Sequence, residues 1–214
     1  MAADYNKDGI KPHELDRLRV HISRYIDSEL YAHTLAVEDE ILRLAGIFGI
    51  QGGRLENLRL GALLHDITKP LSESCQLELC VYYNIPLSKD DRAVPKILHS
   101  KTGAYVARGR FGADDSVFEA IHMHTTGADD MPLSVALLKL ADRIEPTRKD
   151  EVSIELRRFF YSEMENAVSP GQISAALHKT ILRAFDIEIV GLEKSGKIIH
   201  PDTIAARDKL VIRD

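Results

Sequence analysis

The sequence predicts an all-α fold, built as one helical bundle. Apolar residues recur at spacings of three and four through most of the 214 residues, which is the pattern of amphipathic helices. Glycine and proline divide these stretches into segments of helical length. A hydrophobic fraction of 44% provides for a sizeable core at this chain length. We therefore expect one domain with a short C-terminal appendage.

Breaking residues separate the first four predicted helices. Gly49 ends the second periodic stretch, and Gly52 and Gly53 precede the third. Pro70 ends the third stretch and Pro86 follows the fourth, because proline cannot continue a helix. In order, these helices cover 12–28, 29–48, 55–66 and 72–83.

Five further helices are predicted in the second half of the chain. The breaks around them fall at Pro95, Gly112, Gly127, Pro146 and Gly171. In order, these helices cover 99–110, 115–124, 133–144, 153–165 and 170–185.

The segment 186–200 is the part with a strand-like pattern. Ile187 and Ile189 precede a turn region bounded by glycines, and Ile198 and Ile199 follow it. A small hairpin and an extended tail both fit this pattern. Helical spacing resumes over 201–211, which predicts a terminal helix.

Composition excludes several classes of protein. With 28 basic and 33 acidic residues the formal net charge is −5, so a partner such as extended nucleic acid is not expected. The sequence has no apolar run of about 18 residues and no signal-peptide pattern at its start, so we expect no membrane partner and a cytoplasmic location. Cys75 and Cys80 lie in one predicted helix, which favours reduced thiols over a disulfide framework.

Two partial motifs are set aside. The stretch 4–9 matches the first half of a calcium-binding loop, but Leu15 at the twelfth position offers no carboxylate. The stretch 191–197 has the glycine spacing of a phosphate-binding loop. Ile198, however, stands where that loop needs Ser or Thr, and Pro201 interrupts the following helix.

Several polar side chains are predicted to face the core. When residues are placed at 100° intervals, five of them share a face with apolar neighbours, whereas His122 falls on the outer surface. The five are His33, His65, His99, His124 and Asp142.

A divalent cation would satisfy these buried groups together. Buried imidazoles and carboxylates are unfavourable unless they are paired or bound to metal. Nitrogen and carboxylate ligands without cysteine suit iron, manganese or zinc. An open coordination position would make the site catalytic, and a fully protein-ligated ion would make it structural.

His65 and Asp66 are adjacent, and this restricts the geometry. Neighbouring residues of a regular helix diverge by about 100°, so both reach one ion only if it lies beside the end of their helix. Ligands from several helices, His33 on one and Asp142 on a later one, would complete such a centre in a bundle.

The order of these residues resembles that of the HD-domain superfamily of metal-dependent phosphohydrolases. Within it, the chain is similar to the YqeK-like symmetrical bis(5'-nucleosyl)-tetraphosphatases, which hydrolyse diadenosine tetraphosphate. The resemblance covers nearly the whole chain, including 199–203 and Arg207. Its specific motifs are 62–69, 97–104, 120–127 and 140–148.

The resemblance implies a role for each motif residue. His33, His65, Asp66 and Asp142 would hold iron, with manganese, cobalt or zinc as alternatives. A second ion, if bound, would use Asp66, His99 and His124. Besides the ligands, the expected catalytic groups are His99, His124 and Lys69, although a lysine in the last turn of a helix can serve the helix dipole alone. The implied nucleotide contacts are His33, Asp66, His99, His124, Thr125, Asp142, Arg148, Gly196, Lys197, Ile198, Ile199, His200, Pro201 and Arg207.

Two positions depart from the family pattern. Leu30 stands where the family commonly has an arginine, and Ser100 stands where it usually has a glycine. The first departure affects one expected phosphate or nucleotide contact, whereas the metal set is intact.

The expected substrate is a dinucleoside polyphosphate, cleaved symmetrically to two ADP by a metal-bound hydroxide. Alternatives are another HD activity (a nucleotidase or a cyclic-nucleotide phosphodiesterase), a non-catalytic nucleotide sensor, and a structural module with a closed metal site. We predict a helical lead-in over 1–28, the HD domain over 29–185, and a tail over 186–214 that closes over the nucleotide. A homodimer is compatible with the sequence.

Overall fold

A computed structural model describes residues 12–212, and the side chains from residue 14 onward. The partial calcium-loop motif at 4–9 lies outside these residues. The helices of this part are α1 Pro12–Ile22, α2 Ser28–Ile47, α3 Gly53–Leu64, α4 Glu73–Tyr82, α5 Lys89–Ala93, α6 Leu98–Phe111, α7 Asp115–Met123, α8 Leu133–Ile144, α9 Glu151–Glu165, α10 Pro170–Lys194 and α11 Pro201–Ile212, with a 3₁₀ turn at Pro95–Ile97. Within 12–212 no strand occurs, which confirms the all-α prediction.

Side-chain caps set many of the helix starts. Asp27 accepts the Leu30 N–H at the start of α2, at 2.8 Å. Asp114 and Asp150 cap α7 and α9 in the same way. Such caps satisfy backbone N–H groups that have no partner within the helix.

The core lies between α2, α3, α7 and α8, which pack on one another. The helix α6 lies along α7, and α9 and α10 cover α8. Fully buried residues include Ile41, Leu64, Ile121, Leu137 and Phe185. Among the described residues, no helix is long and apolar enough to cross a membrane.

The prediction of a hairpin or an extended tail over 186–200 is wrong for most of this segment. The helix α10 continues to Lys194, and only 197–200 are extended. Ile181, Phe185, Glu188 and Leu192 recur at helical spacing and are buried or half-buried, so the helical face outweighs the local alternation of isoleucines. The terminal helix is confirmed as α11.

Other boundaries differ as well. The first helix ends at Ile22, not at residue 28, and residues 23–27 lead into α2. The helix α5 was not predicted. It is a single short turn with a reciprocal cap between Ser88 and Asp91, too short for a periodic apolar pattern.

Gly127 permits the close approach of α10 and α11 to the loop after α7. Its φ is +74°, and a Cβ there would lie 2.6 Å from Phe185 Cζ and 3.0 Å from Ala206 Cβ. Both the backbone angle and the space therefore require glycine at this position.

Candidate active site

Five helices bring the predicted ligands to one place. His33 lies on α2, Asp142 on α8 and His99 on α6, while His124 follows α7. Because α3 ends at Leu64, His65 and Asp66 stand in the turn after it. This turn agrees with the expectation that adjacent ligands meet an ion beside a helix end.

A first cluster joins α2, the end of α3 and α8. His33 Nε2 lies 3.1 Å from Asp142 Oδ1 and 3.8 Å from Asp66 Oδ2. His65 Nε2 lies 3.4 Å from Asp66 Oδ2 and 3.8 Å from Asp142 Oδ1. Ligand atoms bound at about 2.1 Å to one ion lie about 3 Å apart. His33, His65 and Asp66 offer ligand atoms that all lie within 4.8 Å of one another, and Asp142 lies against the two histidines of this group.

A second cluster uses the other oxygen of the same carboxylate. Asp66 Oδ1 lies 3.2 Å from His99 Nε2 and 3.8 Å from His124 Nε2. The two imidazole nitrogens are 3.3 Å apart, and Thr125 Oγ1 lies 3.3 Å from His124 Nε2. Asp66 is therefore placed to be shared by two ions.

Hydrogen bonds fix the tautomer of three histidines. In His65, His99 and His124, Nδ1 donates to the carbonyl oxygen three residues earlier, at 2.7, 2.6 and 2.7 Å. With Nδ1 donating, Nε2 is the ring atom that each histidine can offer to a metal ion.

Unpartnered buried atoms support a metal at this point. In the described residues His33 Nε2, His65 Nε2 and Asp66 Oδ1 are buried without a hydrogen bond. Buried polar atoms are normally paired. These three atoms converge, and each can donate a lone pair once a metal displaces the His65 proton, so the donor set fits a divalent cation.

The carboxylates dominate the electrostatics of the first cluster. Burial alone would lower the pKa of His65, but Asp66 and Asp142 outweigh it and raise the pKa to about 10. Burial opposes ionisation of the two carboxylates, yet the neighbouring histidines hold their pKa values well below the ordinary range. Burial, together with His65 and His99, lowers the pKa of His124 to about 3. His124 is thus neutral at pH 7.

Sequence reasoning missed Glu145, the partner of His33. Its fully buried carboxylate lies 3.0 Å from His33 Nδ1 and accepts the N–H and the hydroxyl of Thr147. A carboxylate behind a ligating histidine fixes the ring and increases its basicity. The sequence does carry one indication of this role. Glu145 comes three residues after Asp142, at the end of α8, and residues three apart on a helix share a face.

Glu145→Gln is expected to weaken metal affinity roughly 10- to 100-fold, because the neutral amide no longer increases the basicity of His33. Titration of the metal-free protein with Mn²⁺ measures the change. Glu151→Gln, at an exposed position on α9, is the matched control and should bind as the wild type does. Equal metal affinities in the two variants would show that Glu145 does not support the metal centre.

Lys139 on α8 is a second residue that the sequence did not reveal. Its buried Nζ donates to the carbonyl oxygens of Thr125, at 2.8 Å, and His124, at 3.4 Å. It lies 3.6 Å from Glu188 Oε2 on α10. Burial lowers its pKa, and Glu188 opposes that shift. Lys139 therefore holds the loop that presents His124 and Thr125.

Lys139→Met is expected to reduce the free energy of unfolding by about 1–3 kcal/mol, because the carbonyls of His124 and Thr125 lose a buried donor. Urea denaturation measures the change. Lys179→Met removes the exposed pair with Glu163 and should change stability by less than about 1 kcal/mol. If the two variants are equally stable, Lys139 does not hold this loop.

Two basic residues contact the carboxylates of Asp66 and Asp142. Lys69 Nζ lies 2.6 Å from Asp66 Oδ2, and its side chain is 46% exposed. Arg148 Nη2 lies 2.7 Å from Asp142 Oδ1, and its Nε donates to the Asp142 carbonyl. Both are within reach of a phosphate that approaches the clusters.

Two clefts open beside the clusters and share Lys69 as a lining residue. Cleft one has a volume of about 740 Å³ and cleft two of about 930 Å³. Cleft one is lined by Asp27, Glu29, Leu30, Ala32, His33, Lys69, Pro70, Glu145, Thr147, Arg148, Lys149 and Asp150. Cleft two is lined by Lys69, Leu71, Glu73, Gln76, 93–97, His99, Thr125, Glu188, Leu192, 196–198, His200 and Thr203.

Only some of the predicted C-terminal nucleotide contacts line cleft two. Gly196, Lys197, Ile198 and His200 line it, whereas Ile199, Pro201 and Arg207 do not. Arg207 Nε instead donates to Asp186 on α10 at 2.8 Å. His200 lies with Nε2 3.3 Å from Asp91 Oδ1 and accepts the Asp202 N–H on Nδ1. Its ring thus ties the segment before α11 to α5.

Comparison with known proteins gives a consistent picture. The HD domain family model matches residues 30–147. A symmetrical bis(5'-nucleosyl)-tetraphosphatase of Halalkalibacterium halodurans is 27% identical over 89% of this chain and 94% of that protein. Its Bacillus subtilis counterpart is 24% identical with the same coverage. A further match is a crystal structure from Clostridium acetobutylicum, described as a predicted HD superfamily hydrolase involved in NAD metabolism. Its sequence is 30% identical and its fold matches with a TM-score of 0.81, over 96% of this chain and 100% of that one.

Proposed function

The chain belongs to the HD domain family of hydrolases, and from that premise we propose that it hydrolyses diadenosine tetraphosphate symmetrically to two molecules of ADP. The observation that carries this proposal is the convergence of four histidines and two aspartates beside Lys69 and Arg148. We also propose 29–185 as the catalytic unit, with 1–28 as a lead-in and 186–214 as the part that borders the nucleotide.

We propose that His33, His65, Asp66 and Asp142 hold iron, and that manganese, cobalt or zinc can replace it. Asp66, His99 and His124 would hold a second ion, a proposal supported by ligand atoms that lie within 4.8 Å of one another. A divalent cation bound there supplies Lewis-acid charge and a nucleophile at neutral pH.

The side chains around the clusters bind and orient the polyphosphate. Lys69 and Arg148 supply positive charge against the bridging phosphates, and Thr125 offers a hydroxyl. His99 and His124 donate through Nδ1 to backbone carbonyl oxygens, so Nε2 is available to a second ion. One water is consumed, one P–O bond breaks at the middle anhydride, and both products are ADP.

Product analysis tests the proposal. Protein loaded with Fe²⁺ or Mn²⁺ is incubated with diadenosine tetraphosphate, and the nucleotides are separated by anion exchange. ADP alone, absent after chelation, is the expected result. AMP with ATP would overturn symmetric cleavage, and faster turnover of nucleoside monophosphates or cyclic nucleotides would assign a different HD activity.

Binding without turnover distinguishes the remaining alternatives. A nucleotide sensor would bind diadenosine tetraphosphate tightly and leave it intact even with Fe²⁺. A structural metal module would unfold when the ion is chelated, whereas a catalytic ion should leave a folded metal-free protein.

A further inference from the structure

The two clefts flank one shared carboxylate. Asp66 Oδ2 faces His33 and His65, and His33 lines cleft one. Asp66 Oδ1 faces His99 and His124, and His99 lines cleft two. Lys69, which contacts Asp66, lines both clefts. A phosphate bridge that runs past Lys69 therefore has one cleft at each of its ends.

We propose that cleft one is the binding site of the second nucleoside half, so that the substrate spans both clefts. This inference rests on the proposed function. Both volumes lie within the range of small-ligand pockets, roughly 300–1,000 Å³. A substrate with a nucleoside in each cleft places its central anhydride at Lys69, beside the two clusters, and cleavage there yields two equal halves.

The lining of cleft one suits a nucleoside phosphate. Lys69 and Arg148, beside the clusters, face the phosphates. Leu30, Ala32 and Pro70 provide apolar surface for a base. Leu30 contributes an apolar packing surface to this cleft.

Acidic side chains at the edge of cleft one can bind the ribose of a nucleoside. Glu29 is exposed, and Asp27 uses one oxygen to cap α2. These carboxylates accept hydrogen bonds from ribose hydroxyls and would repel a phosphate, which orients the nucleoside outward and its phosphates toward Lys69. The exposed carboxylates and the basic side chains beside the clusters together orient the bound half.

Calorimetric titration with ADP tests the inference independently of turnover. The Mn²⁺-loaded wild type should bind two ADP per chain. Ala32→Trp fills cleft one and should leave one site, and Leu192→Trp fills cleft two and should also leave one. Ala175→Trp, an exposed alanine on α10 outside both clefts, is the control and should retain two.

A kinetic ratio provides the second readout. Adenosine 5'-tetraphosphate has one nucleoside, so Ala32→Trp should lower the ratio of kcat/KM for diadenosine tetraphosphate to that for adenosine 5'-tetraphosphate at least tenfold relative to Ala175→Trp. One ADP site in the wild type, or two sites and an unchanged ratio in Ala32→Trp, would overturn the inference. Failure of the wild type to cleave diadenosine tetraphosphate would instead overturn the proposed function.

Discussion

Asp66→Asn is expected to lower kcat about 10³-fold or more, while the protein remains folded. An ion contributes several kcal/mol to stabilisation of a phosphoryl-transfer transition state, and about 1.4 kcal/mol corresponds to a factor of ten. Asparagine keeps the size of Asp66, but one of its two terminal atoms becomes an N–H donor. Because one oxygen faces each cluster, the substitution affects both clusters together.

Three measurements on Asp66→Asn separate catalysis from folding. They are kcat with diadenosine tetraphosphate, metal content after purification, and the thermal midpoint of the metal-free protein. Asp39→Asn, at an exposed position on α2, is the matched control and should behave as the wild type. A variant that retains its metal and more than a tenth of the wild-type kcat would contradict the placement of Asp66 at the centre.

Helical periodicity made much of the candidate site predictable. His33 and Asp142 share the apolar faces of their helices, so their inward direction follows from the 100° rotation per residue. His65 and Asp66 could be placed because their adjacency allows one ion only at a helix end. Each of these arguments uses the sequence of a single helix. In the structure the four residues they identify lie together.

Contacts between elements distant in the sequence were not predictable in this way. Glu145 lies 112 residues after His33, and Lys139 reaches across to carbonyls of another loop. A periodic pattern gives the direction of a side chain but not the residue that meets it. Arg207 shows the converse: the family motif suggested a nucleotide contact, and the structure pairs it with Asp186.

The continuation of α10 shows how tertiary packing outweighs a local signal. Ile187 and Ile189 alternate as in a strand, yet Glu188 between them points to Lys139 and lines cleft two. Helical geometry lets Phe185 pack in the core while Glu188, one turn later, borders the cleft. The part of the chain first interpreted as an appendage therefore forms one wall of the candidate site.

The affinity of the centre for Mn²⁺ is expected to rise about 100-fold between pH 6 and pH 8. The pKa of His65 in the metal-free protein is raised to about 10, so the ring carries a proton throughout this range. Binding must displace that proton, which changes affinity tenfold per pH unit for one proton released. Calorimetry in two buffers of different ionisation enthalpy measures both the affinity and the number of protons released.

The stability of the metal-free protein should follow the opposite trend. A raised pKa means that the folded state holds the proton more tightly than the unfolded chain does. The contribution of His65 is therefore complete below about pH 6.5 and is lost as the pH rises toward about 10. The pKa values of Asp66 and Asp142 are lowered, so these carboxylates stabilise the folded state at pH values above the ordinary pKa of an aspartate. That stabilisation is lost in acid, as the pH falls through their lowered pKa values. Affinity for the metal and stability of the metal-free protein thus change with pH in opposite directions. Chelation should therefore lower the thermal midpoint more at pH 8.5 than at pH 6.5. An equal shift at both pH values, with no protons released on binding, would show that His65 is not the protonated ligand.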